Sequence, residues 1–280
     1  MAGTVSWISI APVKGMRIQS LNEVELTCDG VPGDRAFFLA DEDGAMVNGK
    51  RFGSLMEIIP AHDRESGRLS LEFPDGATVE GEVGLGEPEE VTFFGQPERA
   101  RPVTGDFSDA VSRHTGARLR LMAHPEGRPG VDRGKWGGVT LLGAASLESL
   151  REAGRDFNCA EPSSEALPGG TASDPDPGPI DGRRFRMTFG VEGTRPYEED
   201  GWTGREIRIG DALVRVAAHV GRCAVTTRDP DSGVTDLKTL HFLKHSRDGV
   251  DSFEPLPFGV YGEVLEPGPV RIGDPVGLAG

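Results

Sequence analysis

A mixed, β-rich α+β fold with a few short helices is what this 280-residue sequence predicts. Three observations carry it. Short runs alternate apolar and polar residues, the period at which a strand turns one face inward. Asp-Gly and Gly-Asp pairs punctuate those runs at Asp29-Gly30, Asp75-Gly76 and Gly210-Asp211. The 40 glycines and 21 prolines favour turns over long helices.

The elements follow in order. Thr4 to Pro12 reads as a first strand and Leu21 to Thr27 as a second. Ala36 to Ala40 and Ala45 to Val47 form a hairpin across Asp41-Glu-Asp-Gly44. Leu55 to Pro60, Arg68 to Phe73, Ala77 to Val83 and Glu90 to Phe94 continue at a spacing that suits a small barrel or sandwich for residues 1–95. In residues 96–280, Phe107 to Thr115 and Ser146 to Ala153 read as helices, the second with Ser146 as N-cap. Leu119 to Ala123 is a strand. Residues 157–180 are acidic, proline-rich and nearly free of large apolar groups, the composition of a mobile loop. Strands resume at Phe185 to Val191, at Glu206 to Ile209 paired with Ala212 to Val216, and at Gly259 to Leu265 and Val270 to Val276.

The net charge of -15 disfavours nucleic acid as a general partner, because such a surface repels phosphate backbones. Three scattered cysteines, Cys28, Cys159 and Cys223, suit neither a disulfide framework nor a zinc site. Reduced thiols and the lack of a signal-type N-terminus predict a cytoplasmic protein. No apolar run approaches the roughly 20 residues of a spanning helix, so no membrane is expected. Nucleotide-binding glycine runs, His-Glu-x-x-His and Gly-x-Ser-x-Gly are all missing from the sequence.

Cys223 is the first candidate for chemistry. It follows Arg222, and a neighbouring cation favours the thiolate that a metal ligand or sulfur nucleophile requires. The alternative is an inert thiol buried on a strand. Pro12-Val13-Lys14-Gly15 offers a point charge beside a glycine that lets a ligand approach the backbone. Arg35 follows the Gly33-Asp34 turn. Arg183-Arg184-Phe185-Arg186 is dense positive charge in an acidic chain, and strand alternation would put Arg184 and Arg186 on one face. Two such groups suit phosphate; the alternative is a solvated face.

Together these clusters resemble one family. Pro12-Val-Lys-Gly, Gly33-Asp-Arg and Asp41-Glu-Asp-Gly-Ala-Met look like the MOSC N-terminal β-barrel domain. Arg184-Phe-Arg, Tyr197-Glu-Glu-Asp-Gly-Trp202, Arg222-Cys-Ala-Val-Thr-Thr, Asp229-Pro-Asp-Ser-Gly233 and Gly273-Asp-Pro-Val look like the MOSC domain. The functional relatives that the resemblance suggests are the mitochondrial amidoxime-reducing components and their bacterial counterparts. The resemblance implies one barrel packed on the other, with a molybdenum cofactor (molybdopterin) between them. It implies Cys223 as the metal ligand and sole catalytic group. It also implies cofactor contacts from Lys14, Gly15, Arg35, Ser146, Arg184, Arg186, Thr188 and Arg222. The chain departs from the family where Lys-Ser becomes Lys14-Gly15, where Phe-Arg-Pro-Asn becomes Phe185-Arg-Met-Thr188, and where Ser-Glu becomes Gly143-Ala144.

Three functions follow as expectations. One is reduction of an N-oxygenated small-molecule substrate by oxygen-atom transfer, with electrons from a separate ferredoxin or flavin reductase, since the chain has no cysteine cluster. The second is a sulfur carrier bearing a persulfide on Cys223, loaded by a cysteine desulfurase whose pyridoxal phosphate (PLP) stays on that partner. The third is a repurposed protein with no molybdenum cofactor.

Overall fold

The computed structural model describes residues 3–125, 132–160 and 175–280. Its larger unit is a closed β-barrel. The strands run Phe189–Glu192, Val139–Gly143, Pro257–Glu266, Ala212–Gly221, Glu206–Ile209, Pro275–Leu278 and Gly3–Ile10, and the last pairs back on the first. Closure pairs edges that would otherwise be exposed. Val5, Ile8, Leu141, Phe189, Val214 and Val260 belong to one core cluster within it. At the closing seam Trp7 lies opposite Gly190, where a Cβ would stand 2.0 Å from the indole, so only glycine fits.

The second unit holds a sheet ordered Met46–Val47, Phe37–Ala40, Arg120–Ala123, Gln96–Pro102, Glu89–Phe93. A three-stranded sheet, Ile59–Asp63, Arg68–Glu72 and Thr78–Glu82, stands beside it. Helix α1 (Phe107–Thr115) packs Phe107 and Val111 into the same core as Leu39, Leu69 and Leu121. The expected boundary at residues 95 and 96 falls in the turn of the hairpin Glu89–Phe93/Gln96–Pro102, whose pairing runs across it. The chain also crosses between units: Gly3–Ile10 lies in the larger barrel and Arg120–Ala123 in the N-terminal sheet.

Several expectations change. Val139–Gly143, not expected as a strand, is buried at every residue, so it shows no alternation to read. Helix α2 (Ala144–Ala160) runs past residue 153 and takes in residues 157–160, expected as loop, because Phe157 packs 6.0 Å from Phe242. Phe242 and Leu243 are buried on helix α3 (Thr239–Ser246), which was not expected. Residues 161–174 of the expected loop lie outside the described residues.

The strand expected from Phe185 begins only at Phe189. Gly182–Phe185 instead winds as a 3-10 turn, with the Asp181 carboxylate accepting from the Arg183 N–H, and Arg186 follows in the left-handed region (φ 53°). Arg184 and Arg186 therefore do not share a strand face. Among the described residues no helix is long and apolar enough to cross a membrane.

Candidate functional site

The strand Ala212–Gly221 delivers Cys223 to the seam between the units. Gly221 ends it against Glu254: its N–H donates to that carboxylate at 3.1 Å, and a Cβ would meet the Glu254 side chain at 2.5 Å. The Arg222 N–H donates to the Pro255 carbonyl at 3.2 Å. Cys223 is extended and opens the 3-10 turn Ala224–Thr227, whose Thr226 N–H and hydroxyl both donate to the Cys223 carbonyl at 3.1 Å. Its thiol is half-buried and in no disulfide. Two residues on, Val225 lies 4.0 Å from where a Gly49 Cβ would stand, and the Gly15 carbonyl lies 3.8 Å from the same point. The Cys223 turn and the Lys14-Gly15 loop thus face one small volume.

Three cations gather at that seam, Lys14 and Arg35 from the N-terminal stretch and Arg186 from the larger barrel. The Lys14 ammonium is largely buried and paired with the Asp132 carboxylate. Arg35, left-handed at φ 50°, pairs with the buried Asp34 and donates to the Arg186 carbonyl at 3.0 Å. Arg186 donates to the Met16 carbonyl at 2.7 Å. Burial lowers the pKa of Lys14 first; Asp132 opposes that, and the charges of Arg35 and Arg186 reinforce it. Arg186 is pushed down to about 10 by burial and then by Arg35. Gly15, at φ 92°, holds a conformation that side chains resist, so the glycine shapes the loop beside Lys14.

The other expected contacts point elsewhere. Arg222 is buried, and its guanidinium donates to the carbonyls of Phe258 at 2.8 Å and Phe185 at 3.0 Å and to the Met187 sulfur. Burial pushes it down to about 9, with Cys223 the largest opposing influence. It braces the strand before Cys223 instead of reaching a ligand. Ser146 is 0% exposed: its hydroxyl donates to Glu199 at 3.0 Å and accepts the Tyr197 N–H at 2.8 Å. The Thr188 hydroxyl is locked to Thr140 within the barrel sheet at 3.1 Å. Arg184 makes a two-pronged pair with Asp236 at 2.7 and 2.6 Å. All four were expected at a ligand; the fold engages the polar atoms of Arg222, Ser146 and Thr188 and the two terminal nitrogens of Arg184, whose Nε is buried with no hydrogen-bond partner among the described residues. The sequence reading missed Asp34 and Asp132, which answer the cations. Asp34 stood visible beside Arg35, but Asp132 meets Lys14 across 118 residues and left no local signal.

A cleft of about 590 Å³ opens beside Arg35, lined by His62, Arg64, His124 and the loop of Val31 to Phe37; Cys223 does not line it.

The MOSC N-terminal beta barrel domain profile matches residues 2–116 and the MOSC domain profile residues 144–277. The chain belongs to the MOSC family. This MOSC chain is 28% identical to mitochondrial amidoxime reducing component 2 of Rattus norvegicus over 98% of its own length and 82% of the relative's. It is 26% identical to a molybdenum cofactor sulfurase of Oryza sativa subsp. japonica over 81% of its own length, but only 28% of that longer protein. The solved YuaD protein of Bacillus subtilis aligns over 99% of this chain and 94% of its own at 10% identity and a TM-score of 0.44, a likeness too loose to carry an argument.

The residues at the seam fit a molybdenum cofactor. Such a group brings its own pair of sulfurs, so the protein needs one thiolate and a cationic cradle for the anionic end. Cys223 would be that thiol, and Lys14, Arg35 and Arg186 would form that cradle. No cluster of three His, Cys, Asp or Glu side chains able to hold a bare metal ion occurs among the described residues.

Proposed function

We propose that this chain binds the molybdenum cofactor and reduces an N-oxygenated small molecule by oxygen-atom transfer. The observation that carries the reading is the convergence of Lys14, Arg35 and Arg186 beside the Cys223 turn in a chain of net charge -15. Holding like charges at partial burial is costly, and an anionic ligand removes the cost. Bound, the cofactor supplies the redox chemistry. Cys223 contributes the thiolate that fixes it, Gly15 lets it approach the backbone, and Arg222 holds the strand leading to Cys223 rigid from behind. A separate ferredoxin or flavin reductase supplies electrons, because none of the three cysteines is grouped to hold an iron–sulfur cluster.

Elemental analysis of chain produced in a molybdenum-replete host tests this. Molybdenum at near one per chain is expected in the wild type. Cys223→Ser should lose about ninety per cent of it with an unchanged melting temperature, as expected for a half-buried thiol in no disulfide. A Cys223→Ser chain that retains the metal sinks the proposal.

The likeness to a molybdenum cofactor sulfurase favours one second reading. In it, Cys223 carries a persulfide delivered by a PLP-dependent cysteine desulfurase. Mass spectrometry after incubation with such an enzyme separates the two: a sulfur adduct on Cys223 in a molybdenum-free chain supports the carrier. A chain that takes up neither sulfur nor molybdenum leaves a repurposed MOSC protein.

A further inference from the structure

Asp132 and Arg133 are consecutive residues that pair with opposite halves of the site. Asp132 presents its carboxylate to the Lys14 ammonium of the cradle. Arg133 donates to the Glu254 carboxylate at 2.8 Å. The same carboxylate accepts the Gly221 N–H at the end of the strand that leads to Cys223. Arg133 is also near enough for its charge to act on the buried Arg222. Two ion pairs from one short segment thus span the seam.

Packing adds little to those pairs among the described residues. The 3-10 turn that follows, Gly134–Trp136, buries none of its residues, and Trp136 stays 38% exposed. Gly134 has φ 59°, and nothing lies within 4 Å of where its Cβ would stand, so the backbone there has room to swing. The chain is pinned again at Gly138, whose carbonyl would lie 1.9 Å from a Cβ on Gly30. Charge, more than apolar contact, is what brings Asp132 to Lys14. That carboxylate eases the gathering of Lys14, Arg35 and Arg186 in the empty chain. It also takes the ammonium that an anionic ligand would use. A phosphate group can accept from an ammonium and from guanidinium groups at once, which favours the exchange.

We propose that Asp132 is a resident competitor at the anion site: its carboxylate holds Lys14 while the cradle is empty, and an incoming phosphate-type group displaces it. The Arg133–Glu254 pair sets how firmly the segment is held. The inference rests on the reading of Lys14, Arg35 and Arg186 as a cradle for an anion. The apparent affinity for that anion is then reduced by the fraction of chains in which Asp132 has let go. Asp132 therefore discriminates among ligands, admitting a group that bridges several cations and turning away one that only replaces a carboxylate.

Calorimetric titration of the full chain with inorganic phosphate tests it. Asp132→Asn should bind phosphate about tenfold more tightly than the wild type, because the competitor is gone. Arg133→Gln should also bind it more tightly, by about threefold, because the segment loses one of its two ties. The second result is the decisive one. An anion that binds beside an undisturbed Asp132 predicts the opposite sign, since Arg133→Gln removes a nearby cation. Arg133→Gln also keeps the Lys14–Asp132 pair, so it decides the matter alone if Asp132→Asn does not fold. Phosphate binding that is weakened or unchanged in Arg133→Gln overturns the proposal, as does binding by a folded Asp132→Asn no tighter than the wild type's. Phosphate that binds none of the three chains overturns it together with the cradle. Molybdenum content is read separately. A chain that shows both gains and takes up no molybdenum overturns the oxidoreductase reading and leaves the Asp132 assignment standing.

Discussion

Arg222 and Arg186 are both guanidinium groups carried into the body of the chain by the larger barrel, one after the strand Ala212–Gly221 and one just before Phe189–Glu192. Arg222 directs its donors at the Phe258 and Phe185 carbonyls and the Met187 sulfur. Among the described residues Arg186 makes one side-chain hydrogen bond, to the Met16 carbonyl, and it sits beside two further cations. Burial lowers the pKa of both, to about 9 and about 10. The shift alone does not tell a brace from a binding group; the disposition of donors does. A guanidinium whose N–H groups end on carbonyls is part of the fold. One with donors left over, among like charges, awaits an anion.

The largest effect should come from breaking the brace. Arg222→Leu removes the donors from two buried carbonyls and should cost about 3 kcal/mol of folding free energy, read by guanidinium unfolding. A cost below about 1 kcal/mol would end the distinction. Arg186→Gln should do the reverse. Its stability should change by less than about 1 kcal/mol, since one hydrogen bond to a carbonyl is lost. Affinity for inorganic phosphate, used as a stand-in for the anionic end of the ligand, should fall about tenfold, equivalent to about 1.4 kcal/mol. Equal effects of the two substitutions on phosphate binding would show that donor bookkeeping does not separate the roles.

Seen this way, the sequence told more about the fold than about the site. Alternation located most strands because one face of each is wet. It failed at Val139–Gly143, which is buried throughout, and at residues 182–185, where side-chain pairs with Asp181 and Asp236 wind the chain off the strand path. Lys14 and Arg35 were legible as charge beside turns and Arg186 as dense charge expected on a strand; the structure gathers all three. Ser146 and Thr188 were read as ligand contacts through resemblance alone. Nothing local shows that their hydroxyls are taken by Glu199 and Thr140, because those partners lie 53 and 48 residues away.

The smallest effect concerns two shielded carboxylates. Asp132 faces the Lys14 ammonium, whereas Glu199 is answered by neutral donors, among them its own N–H, the Ser146 hydroxyl and the Gly143 N–H at 3.1 Å. Burial therefore raises the Glu199 pKa above its ordinary 4.5, and those hydrogen bonds only partly oppose it. The sign follows from linkage. Between 4.5 and the raised folded value, the native chain holds a proton that the unfolded chain has released. Glu199 thus contributes most below the ordinary carboxyl range, and its contribution falls as pH rises toward the folded value. Glu199→Gln keeps an acceptor for Gly143 and carries no charge. At low pH it should match the wild type within about 1 kcal/mol, since both hydrogen bonds have counterparts. Above that window it should be the more stable of the two, with the downward slope gone. Denaturant midpoints at a series of pH values read this directly. A slope that survives the substitution would assign it to another group and remove the contrast between a carboxylate that serves the fold and one that serves the seam.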